Sequence, residues 1–555
     1  MKQIIYIFAI GLLLMVSACE KSLDLAPKDQ YSDASFWKTS GDFELAANDF
    51  YYSLKQAPLY WDINNADDRN ADLAFGSGPD NISNGSYLVP ANSTIWDNSY
   101  KFIRSTTYLL QKASQSDLGK NIDRWVGEAY FFRAYNYWNL VRAFGGVPKI
   151  DVVLDVNSPE LYSPKSTQEE IVNFIIEDLD NAISRLPKQS ELTGDEAGRT
   201  TQGAALALKA RVALYQGTWE KYRNESNASE FLDKAIDAAN KVVTSGEYAL
   251  YTDKGADSYK YLFILEGDDS KEVLLAGRYY LLVREHNWTR ELWFNAIVPT
   301  KNLADMYLSH DGLPIEKSPL FKGYATLTSE FENRDSRMAM TFIVPGSSIF
   351  FEGGIWQPTY PGFTGTNATQ TGYMVRKFLD ETIEATQFKG SYDVKEFRYG
   401  EVLLTLAEAL FEKNGSISDP DLDRTINLLR NRVNMPHLTN AFVKSNGLDM
   451  LTEIRRERTV ELAFEGFRRD DLRRWKTAET VLPQDLKGVK FVGTEYQQRY
   501  PDLKPGTDIQ VDANGFIVVD PAAARRFVNP KNYLLPIPSQ QIQLSKGTLK
   551  QNEGW

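Results

Sequence analysis

Cysteine is almost missing from this chain: Cys19 is the only one among 555 residues, so no intrachain disulfide can form. Histidine is nearly as scarce, and His286, His310 and His437 show no ligand spacing, which argues against a zinc site. Asp419, Asp421 and Asp423 alternate like the opening of a calcium loop. Arg424, however, stands where such a loop needs glycine, and Arg430 where it needs a bidentate glutamate. The chain has neither a complete phosphate-binding glycine loop nor a Gly-x-Ser-x-Gly elbow, and no cofactor is expected. Positive charge is in deficit, with 62 Lys and Arg against 74 Asp and Glu. The clusters Arg455-Arg456-Glu457-Arg458 and Arg468-Arg469-Asp470-Asp471-Leu472-Arg473-Arg474 mix both signs. That pattern predicts internal ion pairing and excludes nucleic acid as a partner. Beyond the first twenty residues no apolar run approaches 18 residues, the length a membrane-spanning helix requires.

What the chain does have starts at its first residues. Lys2 is followed by a thirteen-residue apolar run, Ile4 to Val16, and then by Ser17-Ala18-Cys19. The run is too short to cross a bilayer comfortably, and small residues precede the cysteine, as an export signal requires. Val16-Ser17-Ala18-Cys19 resembles the lipobox of a bacterial lipoprotein. That likeness implies removal of residues 1–18 and lipidation of Cys19, leaving a mature formal charge of −13 once Lys2 is gone. Residues 19–35 are polar and contain proline, which suits a tether.

Helical periodicity dominates afterwards. Helices are predicted from Ser40 or Asp42 to about Gln56, over Thr94–Ala113 and Ile122–Phe144, from Thr167 to Arg185, and over Gln202–Gln216 and Ser229–Thr244. Later ones run over Glu396–Lys413, from an Asp419 cap at Pro420 to near Val433, and over Met450–Phe467. Helix pairs with small residues at their contacts resemble tetratricopeptide repeats without a fixed period. The expected fold is therefore mainly α, with four degenerate tetratricopeptide-like helix pairs and a large loop-rich insertion region. The expected organisation is a signal peptide 1–18, a lipidated tether 19–35, a helical repeat region 36–244 with a loop insertion 57–94, a loop-rich region 245–395, a second helical repeat region 396–469, and an irregular C-terminal region 470–555.

Several segments, in order, resemble the SusD/RagB family. They are Ser35-Phe36-Trp37-Lys38-Thr39, then Glu128 to Tyr135 leading to Leu140-Val141-Arg142-Ala143-Phe144-Gly145-Gly146-Val147-Pro148, and Glu453 to Arg458 running into Glu461-Leu462-Ala463-Phe464-Glu465-Gly466. Asp471-Leu472-Arg473-Arg474-Trp475, Tyr533 to Pro538, and Gln551 to Trp555 complete the set. The resemblance implies a surface-exposed outer-membrane lipoprotein of Bacteroidetes that is not an enzyme. Such a protein binds an oligosaccharide, or a peptide or glycopeptide, and sits as a lid on a SusC-like TonB-dependent transporter.

Glu461 and Glu465 lie four apart, as paired hydrolytic carboxylates would, but Arg455, Arg458, Arg468 and Arg469 flank them in sequence. Nearby cations hold carboxylates ionised, where a general acid needs a raised pKa. Arg133, inside an aromatic stripe, is expected to bond a neighbouring helix. The ligand-binding candidates lie in the insertions: Trp61 with Asn64, Asp67, Asp68 and Arg69; Trp288 with Arg290 and Trp293; and Trp356 with Tyr360 and Phe363 beside Gly353-Gly354. A sugar site needs ring faces beside planar hydrogen-bonding groups. The same rings would equally serve as the loops' own core. A surface glycoside hydrolase using Asp67, Asp68 or Glu291 stays as the alternative from another class.

Overall fold

The computed structural model describes residues 36–57, 67–351, 355–365, 367–382 and 389–555. Cys19 and its flanks, and Trp61 with Asn64, lie outside the described residues; for Asp67 and Trp356 only the backbone is described.

The architecture is mainly helical, as the sequence suggests. Helix α1 covers Ser40–Asn48, and its cap is Thr39, which forms a reciprocal capping box with Asp42. It turns into a 3-10 segment at Asp49–Ser53 instead of running on to Gln56. Helices α2 (Thr94–Ser114), α3 (Asp123–Phe144), α4 (Gln168–Ile183), α5 (Gln202–Lys221) and α6 (Ala228–Thr244) then pack one on the next in chain order. Residues on nearly every side of α3 and α5 are buried, because each is sandwiched between two neighbours and carries no polar face. Gly145 ends α3 at φ +70°, and its amide donates to Val141 O at 2.8 Å. At Gly146 a Cβ would meet Ser166 O at 2.2 Å, so the next segment can cross this closely only over a glycine.

After a long excursion the chain returns to the same stack. Strand β2 (Val273–Gly277) pairs antiparallel with a later strand, Val394–Arg398, and closes the neck of the insertion. Glu396, read from sequence as a helix start, lies on that strand; the helix (Tyr399–Asn414) begins after it and packs against α6. Strand pairing overrides helix propensity there, because Phe397 and Arg398 are drawn inward. The following helix is also broken, into Asp419–Asp423 and Ile426–Arg432, and its cap is Ser418, not Asp419. Asp419 instead accepts from the amide of Asn440 at 2.8 Å. The helix over Met450–Glu461 is shorter than predicted, stopping before Leu462.

Two large cores stand out among the described residues. The larger lies among the stacked helices, and the second combines Trp288, Leu292, Phe342 and Tyr373 with Val460, Ala463 and Phe464 at the end of the Met450–Glu461 helix and just beyond it. Buried ion pairs stitch the two together. Glu461 receives Arg337 at 2.9 Å, Arg398 at 2.8 Å and Arg432 at 2.6 Å, while Glu465 receives Arg398 and Lys377, both at 2.7 Å. The sequence reading of these glutamates as ion-paired holds, with different partners: Arg455 goes to Glu412, Arg458 to Asp471 and Arg468 to Asp72. Arg133 makes two bonds to Asp178 on the neighbouring helix, at 2.8 and 2.7 Å.

These pairs predict a two-sided pH response. Burial pushes the Glu461 carboxyl up, but Arg432, Arg398 and Arg337 together hold it well below the usual range. Burial is likewise outweighed at Glu408, which Arg474 and Arg458 hold at about 2. Stability from such depressed groups is present above the unfolded value, about 4.5, and is lost as pH falls through the folded one. Glu330 and Asp380 behave oppositely, since burial pushes each up to about 7. Their contribution is complete below the unfolded carboxyl value and is lost as pH rises through 7. Urea titrations should therefore give a midpoint that rises from pH 8 to pH 5.5 and drops below pH 4; a flat profile would contradict the network.

Candidate functional site

The second core holds a short helix, α7 (Trp288–Trp293), of which Trp288, Thr289, Glu291 and Leu292 are buried. His286 fixes its entry: Nε2 faces Tyr392 O at 3.0 Å, and Nδ1 accepts from the Trp288 amide at 3.2 Å. Burial depresses this imidazole to about 4, so it is neutral at ordinary pH and acts as a fixed acceptor. Strand β1 (Ala74–Phe75) pairs antiparallel with β3 (Val298–Pro299), just beyond α7, and so carries the early loop alongside this helix. The Arg69 side chain lies 3.1 Å from the Cβ position of Gly76, and Ala296 O borders the same spot. Asn295, two residues after α7 and at φ +54°, donates to Asn367 O at 2.8 Å and ties the helix to the 360s segment.

Among the candidates, Arg290 and Trp293 are half-buried. The Arg290 guanidinium lies 4.4 Å from the ring centre of Phe294, itself half-buried. Trp293 packs against the second core from its edge. This group offers ring surface and a guanidinium together on a helix fixed at both ends. Trp288 is 9% exposed, with its ring 6.1 Å from Phe378, and lies in the second core. Asp68, at 2% exposure, is buried, and its charge supports Arg468, which bonds both carboxylate oxygens of Asp72 at 2.8 and 3.0 Å. Glu291 is buried too.

The third candidate cluster sits on the hairpin of β4 (Ser348–Phe351) and β5 (Ile355–Pro358), in which Trp356 pairs with Phe350. Tyr360 is 40% exposed, and the Arg499 guanidinium lies 3.7 Å over its ring. Phe363 turns inward, edge-on to Tyr500 at 5.0 Å and Phe491 at 5.8 Å. Sequence reasoning missed Arg499, which is remote in the chain. It also missed the turn Tyr280-Leu281-Leu282-Val283, where Tyr280 is 73% exposed and Leu282 has φ +66°. Five consecutive apolar residues, Tyr279 to Val283, between Arg278 and Arg284 were the available signal there. Among the described residues no group of three or more His, Cys, Asp or Glu is arranged to hold a metal ion.

A family model described as the SusD family matches residues 264–555, more than half of the chain. The chain belongs to the SusD family. A second model, described as starch-binding associating with outer membrane, matches residues 28–214. A SusD-like protein of Formosa agariphila is 26% identical over 281 residues, covering 48% of this chain and 51% of the relative, so the match spans about half of either chain. A SusD-like protein of Bacteroides ovatus is 24% identical over 493 residues, covering 84% of this chain and 81% of that one. The crystal structure of a SusD-like carbohydrate binding protein from Bacteroides fragilis superposes with TM-score 0.76 at 25% identity, covering 92% of this chain and 99% of the other.

Within this SusD-family chain, the matched C-terminal segment contains α7, the hairpin and Tyr360 together with the Glu461 network. The ion pairs fix the scaffold, and the half-buried rings lie at its periphery. No helix of the described residues is long and apolar enough to cross a membrane.

Proposed function

We propose that this chain is a lipid-anchored protein of the outer membrane, facing the cell exterior, that captures an oligosaccharide and delivers it to a SusC-like TonB-dependent transporter. Membership in the SusD family carries this reading. The description of the second model, starch-binding associating with outer membrane, and that of the Bacteroides fragilis neighbour as carbohydrate binding support the ligand class. The physical support is the pairing of half-buried rings with guanidinium groups at Arg290, Trp293 and Phe294, and again at Tyr360 and Arg499. Aromatic faces take the C–H faces of sugars, and planar guanidiniums pair with hydroxyls. Asp67, Trp61 and Trp356 remain part of the proposed contact set. Trp288 and Asp68 support it from beneath.

The protein binds its ligand without cleaving it. Glu461 and Glu465 are locked against cations and held ionised, the opposite of a general acid. In calorimetry against an oligosaccharide panel, Trp293→Ala should lose about 1–3 kcal/mol of binding free energy, with Tyr360→Ala affected in the same direction. Normal binding by both variants, or release of cleaved sugar, would overturn the site or the non-enzymatic reading respectively.

Cys19→Ala should move the protein from the membrane fraction to the soluble one without changing its melting curve. A single attachment residue ahead of a polar tether carries the anchor and none of the core. Retention on membranes after a high-salt wash would refute the lipid anchor.

A further inference from the structure

Tyr280, Leu281, Leu282 and Val283 form a tight turn shortly after strand β2, and Leu282 and Val283 are 80% and 81% exposed. The Tyr280 and Arg284 amides each donate to the other's carbonyl at 2.9 Å, the Val283 amide donates to Tyr280 O at 3.0 Å, and the Leu282 amide donates to Glu285 Oε1 at 2.8 Å. The turn is also held at its base. Tyr279 Oη accepts from the Ala57 amide at 2.8 Å, the Tyr279 amide donates to Asp393 at 2.8 Å, and Arg284 bonds Gln56. Leu282 sits at φ +66°, a conformation that strains a leucine and that glycine or asparagine would adopt freely. Phe464, at φ +64°, is 7% exposed, so its packing offsets that strain. The exposed Leu282 side chain has no such return inside the molecule, and a rigid, strained, exposed apolar tip marks a surface that meets something else.

Two features select a lipid surface over a protein partner. Four of the five amides from Tyr280 to Arg284 are satisfied locally, and an apolar medium penalises every amide that is not. Four side chains also offer less than the roughly 800 Å² per partner of a stable protein interface, whereas a lipid interface takes up an apolar tip in proportion to its area. Charge plays little part: Arg278 is paired with Asp269 at 3.3 Å and Asp393 at 3.1 Å, and Glu285 follows Arg284 in the chain. The tether of residues 19–35 extends to about 60 Å, while the path from Phe36 through α1 and the 3-10 segment to Gln56, at the base of the turn, is at most about 50 Å. A lipid on Cys19 and the tip of the turn can therefore rest on one surface.

We propose that this turn is a second membrane contact, placing Leu281, Leu282 and Val283 among the acyl chains of the lipid surface that holds Cys19. The contact presupposes the anchor proposed above and adds what a polar tether cannot impose, a fixed orientation of the domain. A tip of this size binds lipid more weakly than a single acyl chain, itself only a marginal anchor, so the Cys19→Ala protein is still released from membranes. Helix α7 begins five residues after Val283, and the Tyr279 ring lies 4.9 Å from that of His286, which fixes the entry of α7. Seating the turn therefore sets the orientation of α7, and of its proposed glycan contacts, relative to the membrane.

The chain's single cysteine makes the test simple. The mature chain with Cys19→Ala, an N-terminal His-tag in place of the lipid, and Leu281→Cys as its one thiol carries an environment-sensitive dye on the turn. On vesicles of phosphatidylethanolamine and phosphatidylglycerol doped with nickel-chelating lipid, the dye emission should shift to shorter wavelength, and quenching by aqueous iodide should fall about fivefold or more from its level in solution. A dye at Leu544→Cys, on an exposed residue near the C-terminus, should stay as accessible as in solution. Adding Leu282→Asp and Val283→Asp should restore the solution level of quenching at position 281 and leave the melting curve unchanged, because both side chains are exposed and aspartate tolerates a left-handed φ. An unprotected dye at position 281, equal protection at positions 281 and 544, or full protection in the aspartate variant overturns the proposal. Protection that appears only on membranes containing the transporter also overturns it and assigns the turn to a protein partner. Fractionation of Cys19→Ala tests the anchor by itself, and the tagged protein tests the turn without the lipid, so either can fail alone.

Discussion

Glu461→Gln should lower the unfolding free energy by about 3–5 kcal/mol, the cost of removing one partner from a buried ionic cluster. The carboxylate is fully buried and meets three guanidiniums from different parts of the chain, Arg337, Arg398 and Arg432. Glutamine keeps the shape but removes the charge, and its amide nitrogen must face a guanidinium as donor against donor. Glu272 and Glu457 offset part of the excess, since Glu272 also pairs with Arg398 and Arg432, and Glu457 with Arg337. Glu465→Gln should cost less, because that carboxylate pairs with one guanidinium, of Arg398, and the Lys377 ammonium, and is less deeply buried. Chemical denaturation of both variants, with sugar binding measured well below their melting temperatures, checks the claim. The Glu461 variant should still bind. A loss of stability no larger than that of a surface substitution would show that the cluster contributes little, and lost binding in a folded variant would return Glu461 to the functional candidates.

The helical part of the fold was legible because its determinants are local. Periodicity, Thr167 with Glu170, and Gly145 after α3 all act within a few residues of the helices they define. That Glu461 is ion-paired was legible too, from the balance of charges around it. Its partners were not: Arg337 lies 124 positions away and Arg398 lies 63 away, distances that only the folded topology brings together. The same limit explains Glu396, where a strand partner from β2 decides the local structure, and Arg499 over Tyr360. Asp419 shows a finer failure. Ser418 and Asp419 both suit a cap, and the register of Pro420 alone does not choose between them.

For the candidate site, residue type was informative and depth was not. Trp288, Arg290 and Trp293 look equivalent in sequence, yet a six-residue helix on a core must turn one side inward, and Trp288 is on it. Trp288→Ala should therefore act on stability, lowering the unfolding free energy by about 3–5 kcal/mol through lost burial and the cavity left against Phe378. Trp288→Phe, which refills part of that volume, should recover much of the loss. Trp293→Ala, at a half-buried edge position, should destabilise less and reduce sugar affinity more. Urea unfolding combined with amide exchange over residues 286–300 separates the two, since loss of the Trp288 ring frees the whole α7 segment while loss of the Trp293 ring leaves its backbone protected. If Trp288→Ala unfolds at the wild-type midpoint but fails to bind sugar, the ring is a ligand platform and the assignment of this face must be reversed.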